Sequence, residues 1–193
     1  MKLVFASNNK HKLEEVRQIL PATMEIISLN EIGFLQEIDE IGDTLESNSA
    51  LKAEEVWKWL KNNDLLGDVD GVFADDTGLE IHALGGMPGV RTARWAGDGA
   101  CDVNNRQKAL RELFGVEDRS ARFRTVVTLI RGEVVQQVEG MVRLHTQKKG
   151  VVDLDTILCL CQRVMMGRLR VCQRRLKIRL VIVGERCKTC ITY

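Results

Sequence analysis

Two adjacent carboxylates, Asp75 and Asp76, stand in the run Phe73-Ala-Asp-Asp-Thr-Gly-Leu-Glu-Ile81, where a short apolar stretch reaches a glycine. Neighbouring acids at a strand terminus repel each other unless a cation or an unusual protonation state relieves them, which points to metal-assisted chemistry on a phosphate. A polar turn with both acids in water is the plainer alternative. The segment Ser7-Asn-Asn-Lys-His-Lys12 lies between the first expected strand and its helix. There, free backbone N–H groups and the positive end of the helix dipole favour an anion. Lys10 and Lys12 add charge, and Ser7, Asn8 and Asn9 add hydrogen-bonding groups, although Ser and Asn are also ordinary helix caps. Glu40 precedes the second expected helix, and Lys52 lies on that helix twelve positions later. One element would then carry a carboxylate for a metal and an ammonium for a phosphate; a solvated lysine is the alternative. Gly85 to Trp95 supplies a flexible turn followed by Arg91 and Arg94, or else a surface loop with solvated charges.

The elements that must hold these groups follow from apolar spacing. Leu3 to Ala6 reads as a buried strand, followed by a helix to Leu20 with Leu13, Val16, Ile19 and Leu20 on one face and Pro21 as its stop. Met24 to Leu29 reads as a second strand and Ser47 to Lys61 as a second helix. Val72 to Ala74 and Leu79 to Ile81 read as short strands around an acidic turn. A helix from Val103 to Phe114 comes next, and Ala121 to Ile130 with Glu133 to Glu139, split by Arg131-Gly132, reads as a hairpin. Alternating strands and helices closed by paired strands predict an α/β fold with a mixed sheet.

Composition bounds the rest. With 193 residues, 45% hydrophobic and 28% charged, the chain suits one domain with a substantial core. The start reads as a strand, not a signal peptide, and no apolar stretch approaches a membrane span, so a cytoplasmic protein without membrane partners is expected. The net charge of +1 conceals an asymmetry: residues 1–140 carry 16 basic and 24 acidic side chains, whereas residues 141–193 carry 12 and 3. Five of the six cysteines follow residue 141, and all five Phe and both Pro precede it. Such a break marks a second domain, an interaction tail, or a change of another kind.

Together the motifs resemble the inosine triphosphatase, or Ham1-like, family. The matching blocks are Phe5-Ala-Ser-Asn-Asn-Lys-His-Lys-Leu-Glu-Glu15, Glu40 to Thr44 with Asn48 and Lys52-Ala53, Ala74-Asp-Asp-Thr-Gly-Leu79, and Gly85-Gly-Met-Pro-Gly-Val90 with Ala93-Arg-Trp95. They stand in family order over residues 1 to about 140. The resemblance implies an ITPase-like mixed sheet flanked by helices, a homodimer, and Mg²⁺-dependent hydrolysis of ITP, dITP and XTP to the monophosphate and pyrophosphate. By residue match, Ser7, Asn8, Asn9, Lys10, His11, Lys12 and Lys52 would hold the triphosphate, and Thr77 would touch the substrate. Glu40 and Asp76 would serve the metal, Asp76 would also be the general base, and Asp75 would support the site from behind.

After Gly140 the resemblance fails. The family's Gly-Gly-Phe-Gly-Tyr-Asp-Pro and Ser-His-Arg segments, which form its purine pocket, are missing. Yet Val151 to Leu160 can be encoded so that the same bases, read one nucleotide earlier, give GGGFGYDPVF; Ile178 to Gly184 likewise yields NKISHRG. A one-nucleotide frameshift between about Val142 and Lys148 is therefore expected, making 141–193 an out-of-frame continuation of one domain. It accounts together for the basic charge, the cysteines and the lost aromatics. Competing readings are a zinc site from Cys159, Cys161, Cys187 and Cys190, against which stand a short first spacing and no nearby His, and nucleic-acid binding, against which stands the lack of interleaved aromatics. As written, the chain is alternatively a catalytically impaired nucleotide- or nucleic-acid-binding protein.

Overall fold

The computed structural model describes residues 1–144 except Pro21, Asp98 and Ala100, with the side chains of Ile19 and of 141–144 also left aside. The tail's cysteines, basic run and re-read segments lie outside the described residues. Two compact units are present: Met1–Asp76 with Val126–Glu139, and Thr77–Thr125.

In the first unit, β1 (Lys2–Phe5) lies between two parallel neighbours, β2 (Glu25–Ile27) and the opening of β3 (Gly71–Ile81). Leu3 stands opposite both Ile26 and Gly71, which fixes the register. Side chains alternate across a strand, so β1 feeds two cores. Leu3 and Phe5 join Ile26 and Phe73 beneath Leu13, Val16 and Leu20, which belong to α1 (Lys10–Ile19) and its C-cap; the Phe5 and Phe73 rings stack at 4.8 Å. Val4 and Ala6 join Val72 and Ala74 on the other face, beneath Ala53, Val56 and Leu60 of α3 (Leu45–Asn62). Each fully buried aliphatic side chain contributes about 1.5–3 kcal/mol.

Three expectations are corrected here. Strand β2 ends at Ile27 because Ser28 and Glu31 form a capping box that starts α2 (Leu29–Ile32), closed by Gly33 at a φ of 81°. Helix α3 starts at Leu45, because Thr44 caps it and exchanges hydrogen bonds with Ser47. Most consequentially, β3 runs unbroken from Gly71 to Ile81, so Asp75 and Asp76 sit within a strand and not on a turn.

In the second unit, α4 (Asp102–Glu112) packs Ala109, with Leu113 just past its end, on Leu79, Ile81 and Phe123. Strand β4 (Pro88–Gly89) pairs antiparallel with β3 at Leu79 and Glu80. The segment following it is tied down, not loose as a flexible turn would be. Thr92 Oγ1 donates to Gly89 O and accepts from Leu79 N, and Asn105 bridges Ala96 N and Ala93 O. The hairpin is present as β5 (Ala121–Arg131) and β6 (Val134–Leu144), and Gly132 supplies the positive φ, 59°, that a two-residue turn needs. The sheet order is β2-β1-β3-β5-β6 with β4 on β3, a mixed sheet flanked by helices. No helix among the described residues is long and apolar enough to cross a membrane.

Candidate functional site

The strand order reverses at β1. The chain leaves β1 through α1 to reach β2 on one side, then returns through α3 to reach β3 on the other. Crossovers of one hand running in opposite directions place their helices on opposite faces, and the crevice between them opens at the carboxyl end of the central strand. The turn Ser7–Asn9 occupies that end. Asn9 caps α1 through Oδ1, which accepts from His11 N at 3.0 Å and Lys12 N at 3.1 Å, while Asn9 N donates to Ser7 Oγ. Asn9 therefore performs the capping role, and Asn8, Lys10 and His11 are exposed around it. A cavity of about 270 Å³ runs from Ser7–Lys10 to Ser28–Glu31.

The two carboxylates lie just beyond the last rung between β1 and β3, the bond from Ala6 N to Phe73 O at 2.8 Å. Strand alternation sends Asp75 to the face of Phe73 and Asp76 to that of Val72 and Ala74. Each meets the lysine of the helix covering its face. Lys12 Nζ lies 2.6 Å from Asp75 Oδ2, and Lys52 Nζ lies 2.8 Å from Glu40 Oε1 and 3.4 Å from Asp76 Oδ1. Mutual repulsion of the acids is thus answered by separation and by one ammonium each, which corrects the picture of two acids crowded at a turn. Lys52, Glu40 and Asp76 are brought together on one face of β3, and Lys12 with Asp75 on the other. Thr77, the next residue, belongs to the second unit, where its hydroxyl shares a hydrogen bond with Thr125 at 2.9 Å.

Burial sets the ionisation of the cluster. For Lys52 it disfavours charge, but the hydrogen bond to Glu40 and the charges of Asp76, Glu40 and Asp75 outweigh it and hold the ammonium above its usual 10.5. For Asp76, burial wins: it raises the carboxyl above 3.8 against the pull of Lys52, and the Glu40 charge adds to the rise. One ammonium serves two carboxylates, so the lysine gains while the more buried, more distant acid loses. Asp76 is 8% exposed, and its Oδ2 is buried without a hydrogen-bond partner.

Sequence reasoning placed Asn48 in a matching block but gave it no role. It lies one turn before Lys52, is 1% exposed, and its Oδ1 accepts from Gly42 N at 2.7 Å. The four-residue spacing to Lys52 was the available signal.

An open parallel core with charged groups gathered at its strand-order reversal defines an α/β protein whose candidate site lies at the switch point, where such folds bind ligands. The Ham1 family profile matches residues 3–166, and the chain belongs to that family. It is 44% identical over 129 residues to the dITP/XTP pyrophosphatase of Christiangramia forsetii, covering 67% of this chain and 64% of that protein. It is 43% identical over 143 residues to the dITP/XTP pyrophosphatase of Bacillus subtilis, covering 72% and 68% respectively. The Staphylococcus aureus Ham1 protein superposes with a TM-score of 0.64 at 33% identity, covering 74% of this chain and 70% of that one. The match thus spans just under two thirds of the length of the Christiangramia protein.

Proposed function

We propose that this chain hydrolyses deaminated purine nucleoside triphosphates, ITP, dITP and XTP, to the monophosphate and pyrophosphate. The observation that carries the reading is the gathering of Lys52, Glu40 and Asp76 at the reversal point beside Lys12–Asp75, in a chain whose relatives are named dITP/XTP pyrophosphatases. Ser7 to Lys12 would receive phosphate oxygens at the start of α1, with Lys12 and Lys52 neutralising charge from the two helices. Thr77 would contact the substrate.

Asp76 is the proposed general base. Burial raises its carboxyl above 3.8, which makes it a stronger proton acceptor than an exposed carboxylate. A water oxygen forms a bond to the α-phosphorus and its proton passes to Asp76. The bond to the oxygen bridging to the β-phosphate breaks, and that electron pair leaves with pyrophosphate. Glu40 and Asp76 would hold Mg²⁺, which supplies electrostatic stabilisation of the phosphoryl charge. The residues fit such an ion: Mg²⁺ takes one or two protein carboxylates with waters and phosphate oxygens completing its sphere, and the buried, unpartnered Asp76 Oδ2 is a suitable acceptor. No cluster of three ligating side chains is found among the described residues, and this coordination needs none.

A homodimer, which the family resemblance implies, and a cytoplasmic location belong to the same proposal. The assignment of 141–193 as out-of-frame coding sequence belongs to it too, supported by the two family segments that the re-read tail would encode in order, although the family profile runs on to residue 166. Pyrophosphate release from ITP beside ATP, with and without Mg²⁺, tests the function: Mg²⁺-dependent release favouring ITP supports it, and no release from either nucleotide refutes it.

A further inference from the structure

Three polar side chains on α3, Asn48, Ser49 and Lys52, are buried. Ser49 Oγ donates to Ala74 O at 3.1 Å, and Lys52 joins Glu40 to Asp76. Asn48, one turn before Lys52, faces Asp76 as well and favours its ionised carboxylate. Its Oδ1 reaches the other way and accepts from Gly42 N at 2.7 Å. Two α3 side chains therefore tie down the segment that carries Glu40: Lys52 at the Glu40 carboxylate, and Asn48 at the backbone two residues later. Gly42 is shaped for this contact, since a Cβ there would clash with Ser47 Oγ and stand 2.6 Å from Asn48 Oδ1. Its φ is not positive, so the position requires space and not left-handed backbone. Thr44, two residues further on, is fastened to the same first turn of α3 by its exchange with Ser47.

The two ties differ in what they fix. A lysine ammonium is a point charge on a flexible stem, so Lys52 holds the Glu40 carboxylate near Asp76 without setting its direction. A bond to the main chain fixes the path of the backbone from which Glu40 projects. Mg²⁺ demands near-ideal octahedral geometry, so two carboxylates that serve one ion must be held in place before it arrives. Resting on the function proposed above, we infer that Asn48 is a positioning residue of the metal site: by holding Gly42 N–H it fixes the segment that carries Glu40, and with it the placement of Glu40 relative to Asp76 for a single divalent cation.

Two experiments on the full-length chain decide this. In the metal-free protein, Asn48→Ala should speed hydrogen exchange of the Gly42 amide by about tenfold or more, measured relative to the Val56 amide in the α3 core. Mn²⁺, a paramagnetic stand-in for Mg²⁺, is then titrated without nucleotide and followed by electron paramagnetic resonance. Asn48→Ala and Gly42→Ala should each weaken its binding about 10- to 100-fold, the usual effect of losing a group that orients a metal ligand. In a Glu40→Gln background, Asn48→Ala should add less than about twofold, because the residue it positions is already gone. A merely structural Asn48 would lower Tm and leave Mn²⁺ affinity alone, or weaken it equally in both backgrounds. Either of those results, an unchanged Gly42 amide, or a wild-type Mn²⁺ affinity indifferent to Glu40→Gln overturns the inference. A wild-type chain that binds Mn²⁺ through Glu40 but releases no pyrophosphate from ITP refutes the functional reading instead, and the coupling between Asn48 and Glu40 still decides the positioning role.

Discussion

Replacing Lys52 with Met removes the ammonium and keeps the shape of the stem. Lys52 and Asp76 side chains are each 11% exposed, whereas Glu40 is 34% exposed. Breaking a fully buried ion pair costs about 3–5 kcal/mol because a charge is left stranded. Here Glu40 regains water and Asp76 can take up a proton, so about 2 kcal/mol is expected at pH 7, or a fall of roughly 4–8 °C in Tm for a protein of this size. The pH dependence is the sharper test. A carboxyl whose folded pKa is raised supplies stability below its unfolded value, and that stability is lost as pH rises through the folded value. Removing Lys52 raises Asp76 further and enlarges the loss. Lys52, held above 10.5, stays ionised throughout and adds no slope of its own in this window. The gap between wild type and Lys52→Met should therefore be widest at pH 7–8 and shrink as pH falls toward 4. Thermal melts followed by circular dichroism at low salt would show it. Equal Tm at pH 7, or a gap independent of pH, refutes the argument.

Other consequences are simpler to state. Asp76→Asn should cut ITP turnover by about 100- to 10,000-fold while nucleotide affinity falls far less; retained turnover in a single-turnover assay removes the base assignment. Lys12→Ala should raise KM for ITP more than it lowers kcat, since Lys12 is paired to Asp75 and not to Asp76; an unchanged KM contradicts phosphate binding by this lysine. Leu60→Ala, in the centre of the α3 core, should cost about 2–5 kcal/mol in urea denaturation, and a loss under 1 kcal/mol would show that Leu60 does not anchor that core. Sequencing the coding region past codon 140 should reveal an alternative frame encoding GGFGYDP and SHRG in that order; a gene with no such frame ends the frameshift proposal.

The sequence displayed the parallel core and its helices because apolar spacing and caps agree there. The Leu13, Val16 and Leu20 stripe and the Asn9 cap are visible in the letters and present in the molecule. Helix α2 was missed: Ser28 and Glu31 have capping-box spacing, but the apolar run before them read as a longer strand. The continuity of β3 was hidden because Asp is a poor strand former; pairing on both sides of the acidic stretch overrides that local preference. The opposite facing of Asp75 and Asp76 follows from strand alternation once the turn is abandoned. The Gly42–Asn48 contact was not legible, because it depends on how the loop before α3 folds back and not on any residue spacing.

The most direct test of the site is a crystal structure of the protein with Mg²⁺ and an ITP analogue whose α–β bridge cannot be hydrolysed. The account predicts the triphosphate between Lys12 and Lys52 at the turn after β1, with the cation on Glu40 and Asp76. A nucleotide bound away from those four residues would contradict it.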